Sequence, residues 1–179
     1  MRRPYVRRSV ANHLNDIAKD HPDVVVAWVR EHLPGADRNR MALLRHASRT
    51  LIKQGHADML ALWGAATPFD GQARLTLSPR RLHIGDSVAL TLRLRSASVE
   101  AQSLLIDYAV HHVKADGSTS VKVFKGWSLS LAPGERRTLQ KTHSMRAVTN
   151  RRYHAGRHLV DMRINGRVAA QAAFSLTIG

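Results

Sequence analysis

The residues of this chain with the type and spacing to do chemistry are mostly cations. Between Glu135 and Asp161 there is no carboxylate, while Arg136, Arg137, Lys141, Arg146, Arg151, Arg152 and Arg157 accumulate beside His143, His154 and His158. A run like that repels itself unless something anionic lies against it. Inside it, residues 151–158 read RRYHAGRH. Arg151, Arg152, Tyr153, His154 and Arg157 would sit on a loop with an aromatic and a glycine, suited to a groove whose phosphates and narrow width attract arginine. A solvated basic face is the alternative. A second group lies near the start: Arg7, Arg8, Asn12 and Asn15, matched some 37 residues on by Arg45, Arg49 and Lys53.

The acids and imidazoles offer less. Asp16, Asp20 and Asp23 cluster near the start; Asp16 beside Asn12 is the one weak catalytic candidate, and a helix-surface aspartate is its plainer reading. His111-His112 occupy consecutive strand positions, so their rings point to opposite faces and cannot share a metal. The 11 histidines show no metal-ligand spacing, and with no cysteine there is neither a disulfide framework nor a thiolate site. Walker, dinucleotide, HExxH and GxSxG motifs are missing. No metal and no cofactor are expected.

Stepping outward, 179 residues suffice for one ordinary domain or two small ones. Lys+Arg number 28 against 13 Asp+Glu, a net charge of +15, which makes a polyanion the leading partner and nucleic acid the commonest such partner. An Arg-rich surface with no partner is the competing explanation. MRRPYVRRSV has the charge of a signal peptide but no apolar segment after it, and Val24–Val29 is far too short to span a bilayer. The expectation is a soluble, cytoplasmic monomer with no membrane contact.

The apolar period changes near residues 67–71. Before it the spacing is helical, with Val6, Val10, Leu14 and Ile17 on one stripe and Val25, Trp28 and Val29 on another. Helices are predicted at about 4–19, 23–33, 38–54 and 57–65. They repeat: Asp23, Val24 and Trp28 recur as Asp58, Met59 and Trp63, and Arg8 and Leu14 as Arg45 and Leu51. That period suits a helical-repeat unit of the HEAT kind, with a plain four-helix bundle as the alternative. In such a repeat Arg8, Arg45 and Arg49 would form one strip following a phosphate backbone. Two repeats are few for a solenoid, so the chain reads as the end of a longer array or as one whose start has been assigned late.

After residue 71 the spacing is that of strands. Val88, Leu90, Leu92 and Leu94 alternate with Ala89, Thr91, Arg93 and Arg95. Seven strands are predicted: 72–78, 87–95, 104–113, 119–127, 136–144, 157–164 and 167–178. Asn165-Gly166 is the strongest hairpin signal. Seven strands in this length fit an immunoglobulin-like antiparallel β-sandwich, in which Tyr153 is either the corner tyrosine or a surface residue. The fold class is therefore α + β in two domains: HEAT-like α-helical repeats over 1–67, then the sandwich over 72–179. The second half is the more basic, residues 68–179 holding 17 Lys+Arg against 7 Asp+Glu.

Residues 5–22, YVRRSVANHLNDIAKDHP, followed by Leu44-Arg45-His46-Ala47-Ser48-Arg49-Thr50-Leu51-Ile52-Lys53, resemble the last repeats of the AlkC/AlkD-type DNA alkylation repair glycosylases. Lys122-Val123-Phe124-Lys125, the Leu131–Glu135 turn and the stretch from Gly156 to Gly166 resemble the immunoglobulin-like domain that some AlkC-type members carry. The resemblance implies base excision repair: hydrolysis of the glycosidic bond of cationic N3- or N7-alkylpurines in double-stranded DNA, without the base flipping most glycosylases use. The aromatic residues that line the AlkD-type cleft are not matched, and Asn12 and Asn15 stand there instead. The resemblance also implies that the catalytic carboxylate belongs to a repeat upstream, so that this chain binds DNA with little or no glycosylase activity. The competing class is a non-enzymatic helical-repeat and Ig-like interaction module. A secreted carbohydrate-binding sandwich is disfavoured by the missing signal peptide and by having only three Trp.

Overall fold

A computed structural model describes residues 4–147 and 152–178 of the chain. The polypeptide divides after Thr67 into a helical unit and a β unit.

The helical unit contains α1 (Pro4–Asp20), α2 (Pro22–His32), α3 (Arg38–Ala47), α4 (Arg49–Gln54) and α5 (Ala57–Leu62). Pro22 starts α2 at a position whose N–H would lack an intrahelical partner anyway. Asp37 caps α3 by accepting from the Arg40 N–H at 2.7 Å, and that contact holds its carboxyl below the usual range. The predicted single helix 38–54 is broken at Ser48. There the buried hydroxyl donates back to the Leu44 carbonyl at 2.8 Å and accepts from the Trp63 indole N–H at 3.0 Å. Such back-bonding competes with the helical ladder and bends it.

The apolar stripes expected on α1 flank the contact, and its centre is alanine. Ala11 and Ala18 are buried, and Ala11 packs on Leu43 and Ala47 with Val10, Leu14 and Trp28 around them. Small residues let the backbones approach. α1 lies against α3 and α4, and α2 against α5, so sequence-equivalent helices are spatial neighbours. Asp23 and Asp58 both sit in the first turn of their helices, where the dipole favours an acid. No helix among the described residues is long and apolar enough to cross a membrane.

The β unit holds eight strands: β1 (Gly71–Ser78), β2 (Arg81–His83), β3 (Ser87–Ser96), β4 (Gln102–Val113), β5 (Thr119–Leu131), β6 (Arg136–Ser144), β7 (Gly156–Ile164) and β8 (Arg167–Thr177). The sequence prediction missed β2, whose three residues are too few for an alternating pattern. Its partner is the parallel strand β8. A three-stranded sheet, β1-β3-β6, faces a five-stranded one, β2-β8-β7-β4-β5. β3 buries Val88, Leu90, Leu92 and Leu94 as its alternation requires, against Tyr108, Val110, Met162 and Phe174 of the opposite sheet. Asn165 (φ 50°) and Gly166 (φ 78°) form the two-residue turn between β7 and β8, both in the left-handed region a primed turn demands. The Asn165 side chain accepts from the Leu105 N–H at 2.9 Å and donates to the Ser103 carbonyl at 3.1 Å, tying that turn to β4.

Where β4 meets β5 the register shifts between Ile106 and Asp107. Gly126 is the residue left without a directly opposed partner. A Cβ there would lie 2.5 Å from the Ile106 carbonyl oxygen, so only glycine fits the bulge.

Candidate nucleic-acid interface

In the helical unit the structure sorts the predicted contact residues into three sets. Arg8 and Arg49 are exposed and flank His46. Burial first, and then the charges of Arg49 and Arg8, hold the His46 imidazole below its ordinary range. These two arginines with His46 form a cationic patch where α1 meets α3 and α4. Sequence reasoning passed over His46. Its position one residue after Arg45 and three before Arg49 is the signal that would have found it. Asn12 is exposed on α1, and Lys53 is half-buried in the last turn of α4.

Arg7 and Arg45 are not part of that patch. Arg7 is half-buried and borders a hollow of about 550 Å³ with Val10, Trp28, His32, Asp37 and Leu43. One residue is about 100° around a helix, which is why consecutive arginines part. The Arg45 guanidinium lies over the Trp63 ring at 4.8 Å from its centroid, a cation–π stack within the helical unit.

Asn15, read from the sequence as a DNA contact, is engaged within the helical unit: its Nδ2 donates to the Ala11 and His46 carbonyls, and its Oδ1 accepts from the Thr50 N–H and hydroxyl. All four hydrogen-bonding positions of the amide are filled. Asp16 is exposed and pairs with Lys19 at 2.7 Å, an i,i+3 surface contact that holds its carboxyl below the usual carboxylate range.

In the sandwich, Arg151 lies outside the described residues. Arg152 is exposed. Tyr153, read as either a corner tyrosine or a surface residue, is buried in the core with its ring 5.4 Å from that of His112. His154 is half-buried, and its carbonyl meets the His158 Nε2 at 3.0 Å. So Tyr153 and His154 anchor this segment and leave Arg152 and Arg157 outside. Arg157 borders a cavity of about 640 Å³ between β1 and β8 with Arg80 and Arg81, two cations the sequence reading passed over although they follow Pro79 as an adjacent pair.

His111 and His112 point to opposite faces, as expected. His111 meets Asp161 at 2.6 Å on the outer face of the five-stranded sheet, and His112 lies inside. Among the described residues no group of three or more His, Asp or Glu is placed to hold a metal ion.

A helical unit of paired neighbours followed by a cysteine-free sandwich, both with exposed arginines, defines a two-part α + β protein with an immunoglobulin-like domain. Residues 72–178 match the family described as the C-terminal Ig-like domain of the uncharacterised protein YhaZ, and the chain belongs to that family. It is 34% identical over 173 residues to the uncharacterised protein YhaZ of Bacillus subtilis (strain 168), covering 96% of this chain and 48% of that one. Among solved structures it is similar to the Pseudomonas fluorescens alkylpurine DNA glycosylase AlkC bound to DNA containing an abasic site analog. The identity is 36%, the TM-score 0.88, and the match covers 98% of this chain and 49% of that one. The AlkC-type resemblance read from the sequence is therefore shown, and the chain spans about half the length of the relatives it matches.

Proposed function

We propose that this chain is the DNA-contacting C-terminal part of an alkylpurine DNA glycosylase of the AlkC type. The observation that carries the reading is the AlkC match, which runs through both units and was captured on DNA containing an abasic site analog. The side-by-side packing of α1 with α3 and α4, and of α2 with α5, supports two HEAT-like repeats. On them Arg8, Arg49 and Asn12 are the phosphate and groove contacts. In the sandwich Arg152 and Arg157 contribute, with Arg151 in the same stretch of sequence. The partner is double-stranded DNA bearing cationic N3- or N7-alkylpurines.

The chemical step asks for an acid that steadies an oxocarbenium-like sugar and positions water. In this reading that acid belongs to a repeat outside this chain, Asp16 being paired with Lys19 on the surface of α1, and the chain's own part is DNA binding. An alkylated purine leaves readily because it already carries positive charge, and a protein that holds the lesion-bearing duplex against a carboxylate needs little else.

Binding of the chain to a short duplex with an abasic-site mimic, against undamaged duplex at two salt concentrations, tests this. Tighter, salt-sensitive binding to the mimic is expected. Equal weak binding to both would reduce the arginines to a basic surface. No binding would favour a protein-interaction module.

A further inference from the structure

The outward face of the three-stranded sheet carries charges in an arrangement that costs the sandwich stability. On β3 the residues facing away from the core are Thr91, Arg93 and Arg95, between the buried Leu92 and Leu94. The strand register sets Arg74 of β1 directly opposite Arg93, and Arg136 of β6 directly opposite Arg95. Like charges opposed across neighbouring strands have Cβ atoms only about 5 Å apart and destabilise the pair. The rest of the face is uncharged and mostly polar, with Gln72 and Thr76 on β1, Ala89 and Thr91 on β3, and Thr138 and Gln140 on β6. No carboxylate occupies this face, and the four arginines are all exposed with no ion pair among the described residues. The nearest acid along β6, Glu135, is taken by Arg137.

The face is continuous with a second group of cations. Arg74 borders both the hollow of about 550 Å³ that holds Arg93, Arg95 and Arg136 and the cavity of about 640 Å³ that holds Arg80, Arg81 and Arg157. A band of guanidinium groups therefore runs from the β1–β8 edge across the sheet.

We propose that this sheet face, centred on Arg74, Arg93, Arg95 and Arg136, binds the phosphodiester backbone of duplex nucleic acid. It is a contact surface separate from the helical patch and from the segment around Arg152. Arginine is the cation whose planar fork matches phosphate oxygens bidentately. Threonine and glutamine between the arginines add donors without adding a competing anion. A sheet face that presents cations and neutral donors can track a backbone without reading bases, so the contact is indifferent to sequence. Phosphates would offset the Arg74–Arg93 and Arg95–Arg136 repulsion that the free protein bears. The inference rests on the reading of the chain as a DNA-contacting module.

The test compares the full chain with two variants on an undamaged DNA duplex over a salt series, alongside thermal melting without DNA. One variant is R74Q/R93Q/R95Q/R136Q and the other R8Q/R49Q. The sheet variant is expected to melt at or above the parent temperature, since like-charge opposition is relieved. It should also bind about tenfold or more weakly, with a log–log salt slope lower by about 2 to 4. Should it melt below the parent, R93Q/R95Q is measured by the same criteria with a slope change of about 1 to 2. A parent-like slope in the sheet variant, with weakened binding in R8Q/R49Q, overturns this inference and leaves the proposed function standing. No duplex binding by the parent overturns both. Equal competition by polyglutamate at matched charge overturns the assignment to nucleic acid alone.

Discussion

The Asn15 amide on α1 reaches the His46 carbonyl at 2.7 Å while its oxygen takes the Thr50 N–H at 3.1 Å, 35 positions along the chain. One side chain therefore ties α1 to the bend between α3 and α4. The Thr50 N–H is in the first turn of α4, where no intrahelical partner exists. Ser48 offers α4 no side-chain cap, and Asn15 supplies from outside what a cap supplies from within. Asn15→Ala should therefore cost the helical unit about 1 to 3 kcal/mol, because a partly buried donor and acceptor lose their partners together. Urea unfolding followed by Trp28 and Trp63 fluorescence measures it. Asn15→Asp should fall between, keeping the acceptor for Thr50 and losing both donors. A loss below about 0.5 kcal/mol for the alanine variant would return Asn15 to the pool of available surface residues.

The field at His46 reports on the helical patch. Its imidazole is held down by burial and then by Arg49 and Arg8. Arg8→Gln and Arg49→Gln should each raise its pKa. Bound phosphates, which neutralise the same charges, should raise it in the parent protein. Imidazole chemical shifts across a pH titration, with and without duplex DNA, give the answer. A His46 titration unmoved by saturating DNA would place the duplex elsewhere on the chain.

Acid should loosen the sandwich. His158 is buried, stacked on Phe174 at 5.3 Å, and burial depresses its pKa although the His154 carbonyl opposes the shift. The folded state therefore prefers the neutral ring. For a depressed histidine the stabilisation is complete above the unfolded value of about 6.5 and is lost as pH falls below it towards the folded pKa. The unfolding midpoint should drop as pH falls below about 6.5, and His158→Phe should flatten that dependence. A variant with the parent's acid slope would show that other groups carry it.

Much of this architecture was legible because two periodicities are strong. The alternation from Val88 to Leu94 and the Asn165-Gly166 turn specify local geometry through residue type alone, and the structure keeps both. What was hidden depends on partners far along the chain. Ser48 looks like an ordinary helical position until Trp63 is folded onto it. Tyr153 looks like a loop aromatic until His112 is beneath it, and Asn15 looks like a groove residue until Thr50 arrives. The arginine face was concealed differently. Arg93 and Arg95 are what the polar half of any strand could contain, and only register shows that Arg74 and Arg136 stand opposite them.

Asp161 gives the sharpest stability test in the sandwich. It is 1% exposed, yet β7 turns it to the outer face of the five-stranded sheet, where its two oxygens meet His111 Nε2 at 2.6 Å and Arg163 Nε at 2.9 Å. Removing one member of a buried charged network strands the others, so Asp161→Ala should cost about 3 to 5 kcal/mol in urea unfolding of the β unit, followed through Trp127. Asp161→Asn keeps the shape and should cost less. Replacing all three by apolar residues of similar size, as in H111L/D161L/R163M, removes the demand for partners along with the partners. Its loss should be smaller than that of Asp161→Ala alone. This inversion separates a network that must be complete from three contacts that simply add. If the triple variant is the worst of the set, the contributions are additive, and each contact stabilises the sheet by its own share.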